Sequence, residues 1–241
     1  MTNDYKRICM WSGPRNISTT LMYSFAQRSD TKVYDEPLYA FYLKNSSAKE
    51  FHPGAEEIMG SQENSGKKVI QKMLENTSST VQFYKQMTHH LLDLDLTFLK
   101  KTTNILLTRN PVEMLPSFVA VIKNPTLKDV GYSAHCDLVK YFIKNEIPFI
   151  VIDSTNVLLN PREQLIKLCK KLEVTFDEAM LSWEKGARAE DGVWAKYWYK
   201  SVHNSTGFKA YEPKHNPFPI ELKPLLEECS PYYKQLKELA I

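Results

Sequence analysis

Five short apolar runs punctuate the chain, at residues 8–12, 31–34, 81–85, 105–108 and 148–153, and the segments between them carry apolar residues at helical spacing. Residues 19–27, with Leu21, Met22, Phe25 and Ala26 on one stripe, predict a helix between the first two runs, which makes a β-α-β unit. The run at 105–108 is apolar throughout its centre, as expected of a strand covered on both faces. After it, Asn110, Pro111 and Glu113 supply an N-cap, a first-turn proline and a capping-box acid, so a helix is predicted to begin there. Further helices are expected over 129–144 and from Asn160-Pro161 through Leu172, with a short helix over 176–183. The tail, 219–241, reads as a surface helix broken by Pro224 and Pro231. Residues 38–43 read as a short helix or a pocket wall. The polar stretch 44–79, with Pro53-Gly54, Gly60 and Gly66, reads as a solvated excursion or as a lid or acceptor flap.

The pattern therefore predicts one α/β domain over 1–241, built on a parallel sheet of about five strands flanked by helices. Such a sheet places its ligand crevice at the carboxyl ends of the strands. Three groups of residues fall there. The first is the junction Ser12-Gly13-Pro14-Arg15-Asn16-Ile17-Ser18-Thr19-Thr20, where the first strand turns into its helix. A helix N-terminus offers unpaired N–H groups and a partial positive charge to an anion. The spacing approximates G-x-x-x-x-G-K-[ST], with Gly13 first and Thr20 last. Ser18 replaces the second glycine and Thr19 the lysine, which argues against ordinary ATP or GTP turnover. Positive charge has moved to Arg15, whose guanidinium suits a phosphate or sulfate. The second group is Asp35-Glu36, with Pro37 expected to hold Glu36 extended. Glu36 is the candidate general base; its bland alternative is an ion pair with Arg15. The third is Arg109 with Ser117, eight residues on.

His89 and His90, just beyond the third strand, are alternative bases; the bland expectation is that one caps a helix and the other is exposed. Trp194, Tyr197 and Trp198, at i, i+3 and i+4, read as a core-facing stripe rather than an adenine platform.

The order Pro14-Arg15-x-x-Ser18-Thr19 resembles the 5′-phosphosulfate loop of the sulfotransferase family. Arg109-Asn110-Pro111 with Ser117 resembles that family's 3′-phosphate motif, and 151–183 resembles the region that follows it. The segment 199–209 loosely resembles the glycine-containing loop that closes over the adenosine 3′-phosphate. The resemblance implies the family's P-loop, nucleotide-kinase-like fold, a 3′-phosphoadenosine-5′-phosphosulfate donor and a small acceptor. It also implies donor contacts from Arg15, Asn16, Ser18, Thr19, Thr20, Arg109 and Ser117, with Lys200, Ser205, Thr206 and Gly207 as weaker candidates. One departure is Ile17, a β-branched residue where glycine usually supplies a positive φ. Another is Asp153, where many members have glutamate. Two other readings remain: a nucleotide kinase or NTPase, and a catalytically silent nucleotide-binding module.

Composition narrows this a little. A net charge of +3 with both signs interspersed lacks the basic stripe of a nucleic-acid binder and suits one small anionic ligand. The four cysteines are scattered, without metal-ligand or disulfide spacing, and are expected to be buried thiols; no metal is expected. With no apolar run long enough to cross a bilayer and no leader-like N-terminus, a cytoplasmic, membrane-independent setting is expected.

Overall fold

The computed structural model describes residues 5–212 and 217–241; the first four residues of the N-terminus, part of the leader argument, lie outside that range. Its centre is a five-stranded, fully parallel sheet of order β2-β3-β1-β4-β5, comprising β1 (Lys6–Ser12), β2 (Thr31–Asp35), β3 (Val81–Met87), β4 (Thr103–Thr108) and β5 (Phe149–Asp153). Every predicted strand is present.

Alternate residues of β1 feed opposite layers. Ile8 and Met10 point to one face, packing with Leu21 and Phe25 of α1 (Ser18–Phe25) and with Leu165 and Leu168 of α9 (Pro161–Leu172). Cys9 and Trp11 point to the other, against Leu138 and Phe142 of α7 (Tyr132–Lys144), Leu115 of α5 (Pro111–Phe118) and Cys229 of α12 (Lys223–Glu238). Each fully buried large aliphatic side chain contributes about 1.5–3 kcal/mol, so a central strand with no exposed side chain among residues 8–11 anchors both layers. Cys9, Cys136, Cys169 and Cys229 are free, buried thiols on β1, α7, α9 and α12.

The segment after β2 is more tightly built than a solvated excursion. It folds as α2 (Tyr39–Lys44), a 3₁₀ turn (Ser47–Glu50), α3 (Ala55–Ser61) and α4 (Gly66–Met73). Ile58 joins one core layer, and Val69 and Met73 the other. Between β4 and β5 the chain forms α5, the short α6 (Leu127–Val130) and α7, and the expected single helix over 129–144 is broken. Gly131, at φ 79°, makes the break, because the chain must turn there to lie against the first loop. After β5 come α8 (Ser154–Leu159), α9, a 3₁₀ turn (Glu178–Leu181), and two short helices, α10 (Ala195–Trp198) and α11 (Lys200–His203).

The tail corrects another expectation. α12 runs unbroken from Lys223 to Glu238; Pro224 sits in the first turn, where no backbone donor is needed, and Pro231 lies inside the helix. It is not merely a surface helix either, since Leu225, Cys229 and Leu236 are buried against the sheet layer. Among the described residues, no helix is long and apolar enough to cross a membrane.

Topology places the site. The connection β1-α1-β2 leaves on one face, and the chain from β4 through α5 and α7 to β5 on the other, so adjacent strands β1 and β4 send their loops apart. A crevice opens at the carboxyl ends of strands at such a switch point.

Candidate functional site

That crevice is a cavity of about 360 Å³, within the usual range for small-molecule sites. Its floor is the loop between β1 and α1. Gly13 is fitted closely: a Cβ there would lie 2.9 Å from the Val130 carbonyl oxygen. Beyond it the loop takes left-handed conformations at two non-glycine residues, Arg15 (φ 56°) and Ile17 (φ 64°). Ile17 thus adopts the backbone that its side chain disfavours, at a cost of about 1–2 kcal/mol, while its side chain packs against the core. As N-cap of α1 it provides no side-chain acceptor. The first helical bond runs from Leu21 N to Ile17 O, 3.0 Å, so the N–H groups of Ser18, Thr19 and Thr20 precede the ladder and face the cavity end of the helix.

Two guanidiniums meet over this floor. Arg15 donates from Nε to Ser117 Oγ (3.0 Å) and from Nη1 to the Trp198 carbonyl (3.1 Å). Arg109, at the end of β4, donates to the Arg15 carbonyl (2.8 Å) and pairs with Glu113 (3.2 Å). Glu113, read from sequence as a capping-box acid, is used in that pair and accepts from the Tyr211 hydroxyl; Asn110 alone caps α5, accepting from Val112 N at 3.0 Å. Partial burial, and then the charge of Arg109, lower the Arg15 pKa. Two partly buried like charges held side by side disfavour each other's charged form, a cost that an anion between them would relieve. The expected Arg109–Ser117 pairing is rearranged, since Ser117 is met by Arg15, but all three line the cavity. Asn16 lines it too, its Nδ2 fixed on the Leu107 carbonyl at 2.7 Å.

Glu36 is not extended before Pro37; it has φ 43°. That turn swings its carboxylate inward, where it is buried and bonded to Lys85 rather than to Arg15. Lys85, the last residue of the predicted third strand, is 1% exposed. Its ammonium donates to Asp35 Oδ1 (2.8 Å), to Glu36 and to the Tyr199 hydroxyl (2.7 Å). Tyr199 donates in turn to Asp35 (2.7 Å), and Trp194 Nε1 to Tyr199 (3.1 Å). Burial outweighs the Lys85 attraction and raises the Glu36 pKa to about 7, with the Asp35 charge pushing the same way. The same two carboxylates raise the Lys85 pKa against its burial. Lys85 is not among the residues singled out from the sequence; its signal is two adjacent acids, Asp35 and Glu36, at the end of a strand, which once buried demand a cation beside them.

Both His89 and His90 line the cavity, and neither is an exposed or capping residue. They sit in a 3₁₀ turn (Thr88–Leu91) with rings at 90°, which lets neighbours face one space. Burial lowers the His89 pKa to about 3 and holds that of His90 well below the usual value. The aromatic stripe divides: Trp194 is buried, Trp198 half-buried, both line the cavity, and Tyr197 is 40% exposed. Of the weaker loop candidates, Ser205 and Gly207 line the cavity. Lys200 and Thr206 do not; Ser201 and Lys209 stand in that wall instead.

Fold and site together define a parallel α/β protein with a strand–loop–helix junction, lined by two arginines, at the switch point of its sheet. The sulfotransferase-domain family matches residues 6–240, and the chain belongs to that family. Its fold is similar to the sulfotransferase domain from the curacin biosynthetic pathway (TM-score 0.54, 18% identity, 94% of this chain and 98% of that one). It is likewise similar to the sulfotransferase domain of the Synechococcus PCC 7002 olefin synthase (TM-score 0.56, 16% identity, 94% and 96%). In sequence it is 37% identical over 231 residues to the Arabidopsis thaliana branched-chain-amino-acid aminotransferase-like protein 1, covering 94% of this chain and 41% of that protein. The chain therefore spans about two fifths of that relative's length.

Proposed function

We propose that the protein moves a sulfuryl group from 3′-phosphoadenosine-5′-phosphosulfate to a hydroxyl or amine of a small acceptor. The observation that carries this reading is the convergence of Arg15, Arg109 and the open N-terminus of α1 on the cavity that also holds Glu36. The donor set suits a polyanion: two guanidiniums, the Ser117 hydroxyl, the hydroxyls of Ser18, Thr19 and Thr20, and the N–H groups at the helix start. When bound, the donor supplies the sulfuryl group and a phosphate leaving group. Arg15 and the helix start stabilise charge that grows on the bridging oxygen, while Arg109 and Ser117 position the 3′-phosphate.

Glu36 takes the acceptor proton. A base with a pKa near the working pH is more effective than a histidine whose conjugate acid is as strong as that of His89, at about 3. Lys85 stays protonated and keeps the Glu36 carboxylate aimed into the cavity. In the transfer, the acceptor oxygen or nitrogen forms a bond to sulfur as the bond from sulfur to the bridging oxygen breaks; the proton passes to Glu36 and adenosine 3′,5′-bisphosphate departs.

Calorimetric titration with adenosine 3′,5′-bisphosphate and with adenosine 5′-phosphate tests the reading. The wild type is expected to prefer the bisphosphate. Arg109→Ala should lose about 1.5–3 kcal/mol for the bisphosphate and much less for the monophosphate, because a charge-assisted bond to the 3′-phosphate is removed. Equal losses for the two nucleotides, or no preference in the wild type, would overturn it.

A further inference from the structure

The far end of the same cavity is built for something other than phosphate, and what it selects deepens the sulfuryl-transfer reading on which it rests. Its wall is made of rings. Tyr39 and Tyr42 stack on His90 with centroids 4.9 and 4.7 Å apart, His89 meets Tyr42 edge-on at 4.9 Å, and Trp198 faces His52 at 6.4 Å. Burial keeps the imidazoles uncharged at neutral pH, lowering His52 to about 4 and His89 to about 3.

One carboxylate, that of Asp129, enters this neutral wall. It is placed by backbone packing, since Val130 and Gly131 lie against Gly13, and Gly131 against His89. Asp129 Oδ2 accepts from the Thr126 N–H (2.8 Å) and hydroxyl (2.7 Å), and among the described residues no lysine or arginine pairs with it. Its charge acts on Tyr42, His52 and His89 together. The charges along the cavity are therefore sorted. Arg15 and Arg109 stand together at the donor end with Glu113; towards this end Lys85 answers Glu36, and Asp129 is bonded to Thr126 and to no cation among the described residues. A phenol would stack on the rings and leave Asp129 facing an uncharged neighbour. A cation satisfies both the ring faces and the carboxylate.

We propose that the acceptor is a small alcohol carrying an ammonium group, which the Tyr42 and Trp198 rings and Asp129 hold while its hydroxyl is presented to Glu36. The hydroxyl oxygen attacks sulfur, the bond to the bridging oxygen breaks, the hydroxyl proton goes to Glu36, and the product is a zwitterionic sulfate ester with adenosine 3′,5′-bisphosphate as leaving group.

The test uses ammonium alcohols, each against its uncharged carbon isostere: choline with 3,3-dimethylbutan-1-ol, and ethanolamine with 1-propanol. Binding is measured on protein saturated with adenosine 3′,5′-bisphosphate, and turnover with the sulfuryl donor. A preference of roughly tenfold or more for the cation of at least one pair is expected. Asp129→Asn should abolish that preference while keeping the bisphosphate affinity, which also reports that the variant is folded. Tyr42→Phe, which keeps the ring, should retain the preference, and Tyr42→Leu should reduce it. No preference in either pair, preference for the neutral alcohols, or a cation preference that survives Asp129→Asn overturns the acceptor assignment. Failure of the wild type to bind the bisphosphate overturns the sulfuryl-transfer reading beneath it instead.

Discussion

Arg15 and Lys85 line one cavity and are used in opposite ways. Lys85 is 1% exposed and surrounded by Asp35, Glu36 and Tyr199, so its charge is answered completely within the protein. Arg15 has neutral partners, a serine hydroxyl and a carbonyl, and a second guanidinium beside it. Neutralisation inside the protein fixes a geometry; charge left without a counter-ion waits for a ligand. Removing the first should therefore damage the molecule, and removing the second should damage only binding.

The largest effect is expected at Lys85. Lys85→Met leaves Asp35 and Glu36 buried side by side without a cation, and breaking a buried pair costs about 3–5 kcal/mol. Urea unfolding of the variant should show that loss, with turnover gone. A midpoint like that of the wild type would mean that water reaches the carboxylates and that the two ends of the cavity do not differ as described.

Glu36→Gln should cut turnover by roughly 10²-fold or more with little change in bisphosphate affinity, as for a positioned base. Its pH dependence sharpens the contrast. The base works deprotonated, so wild-type turnover should rise as pH increases through about 7, and that limb should vanish in the variant. Because the folded-state pKa lies above its ordinary value, the Glu36 contribution to stability is fully present below about 4.5 and is lost as pH rises towards about 7. Over that window wild-type stability should decline relative to Glu36→Gln. A turnover profile unchanged by the substitution would move the base to His89 or His90.

Arg15→Ala is the counterpart at the donor end: bisphosphate binding weaker by about 1.5–3 kcal/mol, with the unfolding midpoint nearly unchanged. Unaltered binding would make the loop a helix start and nothing more. The smallest effect is expected at Ile17. Ile17→Gly relieves left-handed strain of about 1–2 kcal/mol but gives up the isoleucine's apolar contacts and loosens the unfolded chain, so stability should change by less than about 1 kcal/mol. A loss of several kcal/mol would show that the isoleucine side chain, rather than the loop path, holds α1 in place.

The two ends of the cavity also differ in how far the sequence reveals them. The arginine end is written locally: Arg15 and Ser18–Thr20 lie within one turn, and Arg109 and Ser117 within two turns of one helix start, so spacing suffices to place them on one cavity. The strands are legible for the same reason, as each is a short apolar run. The Lys85 cluster is assembled across the chain, with Asp35 50 residues away and Tyr199 114 residues away. In the run Val81-Gln-Phe-Tyr-Lys85 the lysine has the look of a strand-end solvent residue. The place of Glu36 beside the first loop is legible in the sequence, but its partner and its backbone are not, because a proline that follows favours the extended form and the tertiary contact with Lys85 overrides that preference. The break at Gly131 was hidden similarly: the helical periodicity continues across it, and only the approach of Gly13 demands it.

The four buried thiols give this chain an internal clock. Burial raises Cys9 and Cys229 to about 12 and Cys169 to about 11, and raises Cys136 as well, so the thiolate that reacts with alkylating reagents is scarce while the molecule stays closed. Each sulfur becomes reactive when its own element opens, and the four lie on β1, α7, α9 and α12. Alkylation followed by peptide mass spectrometry would then time the opening of the central strand and of the helices on both faces separately, without any engineered label.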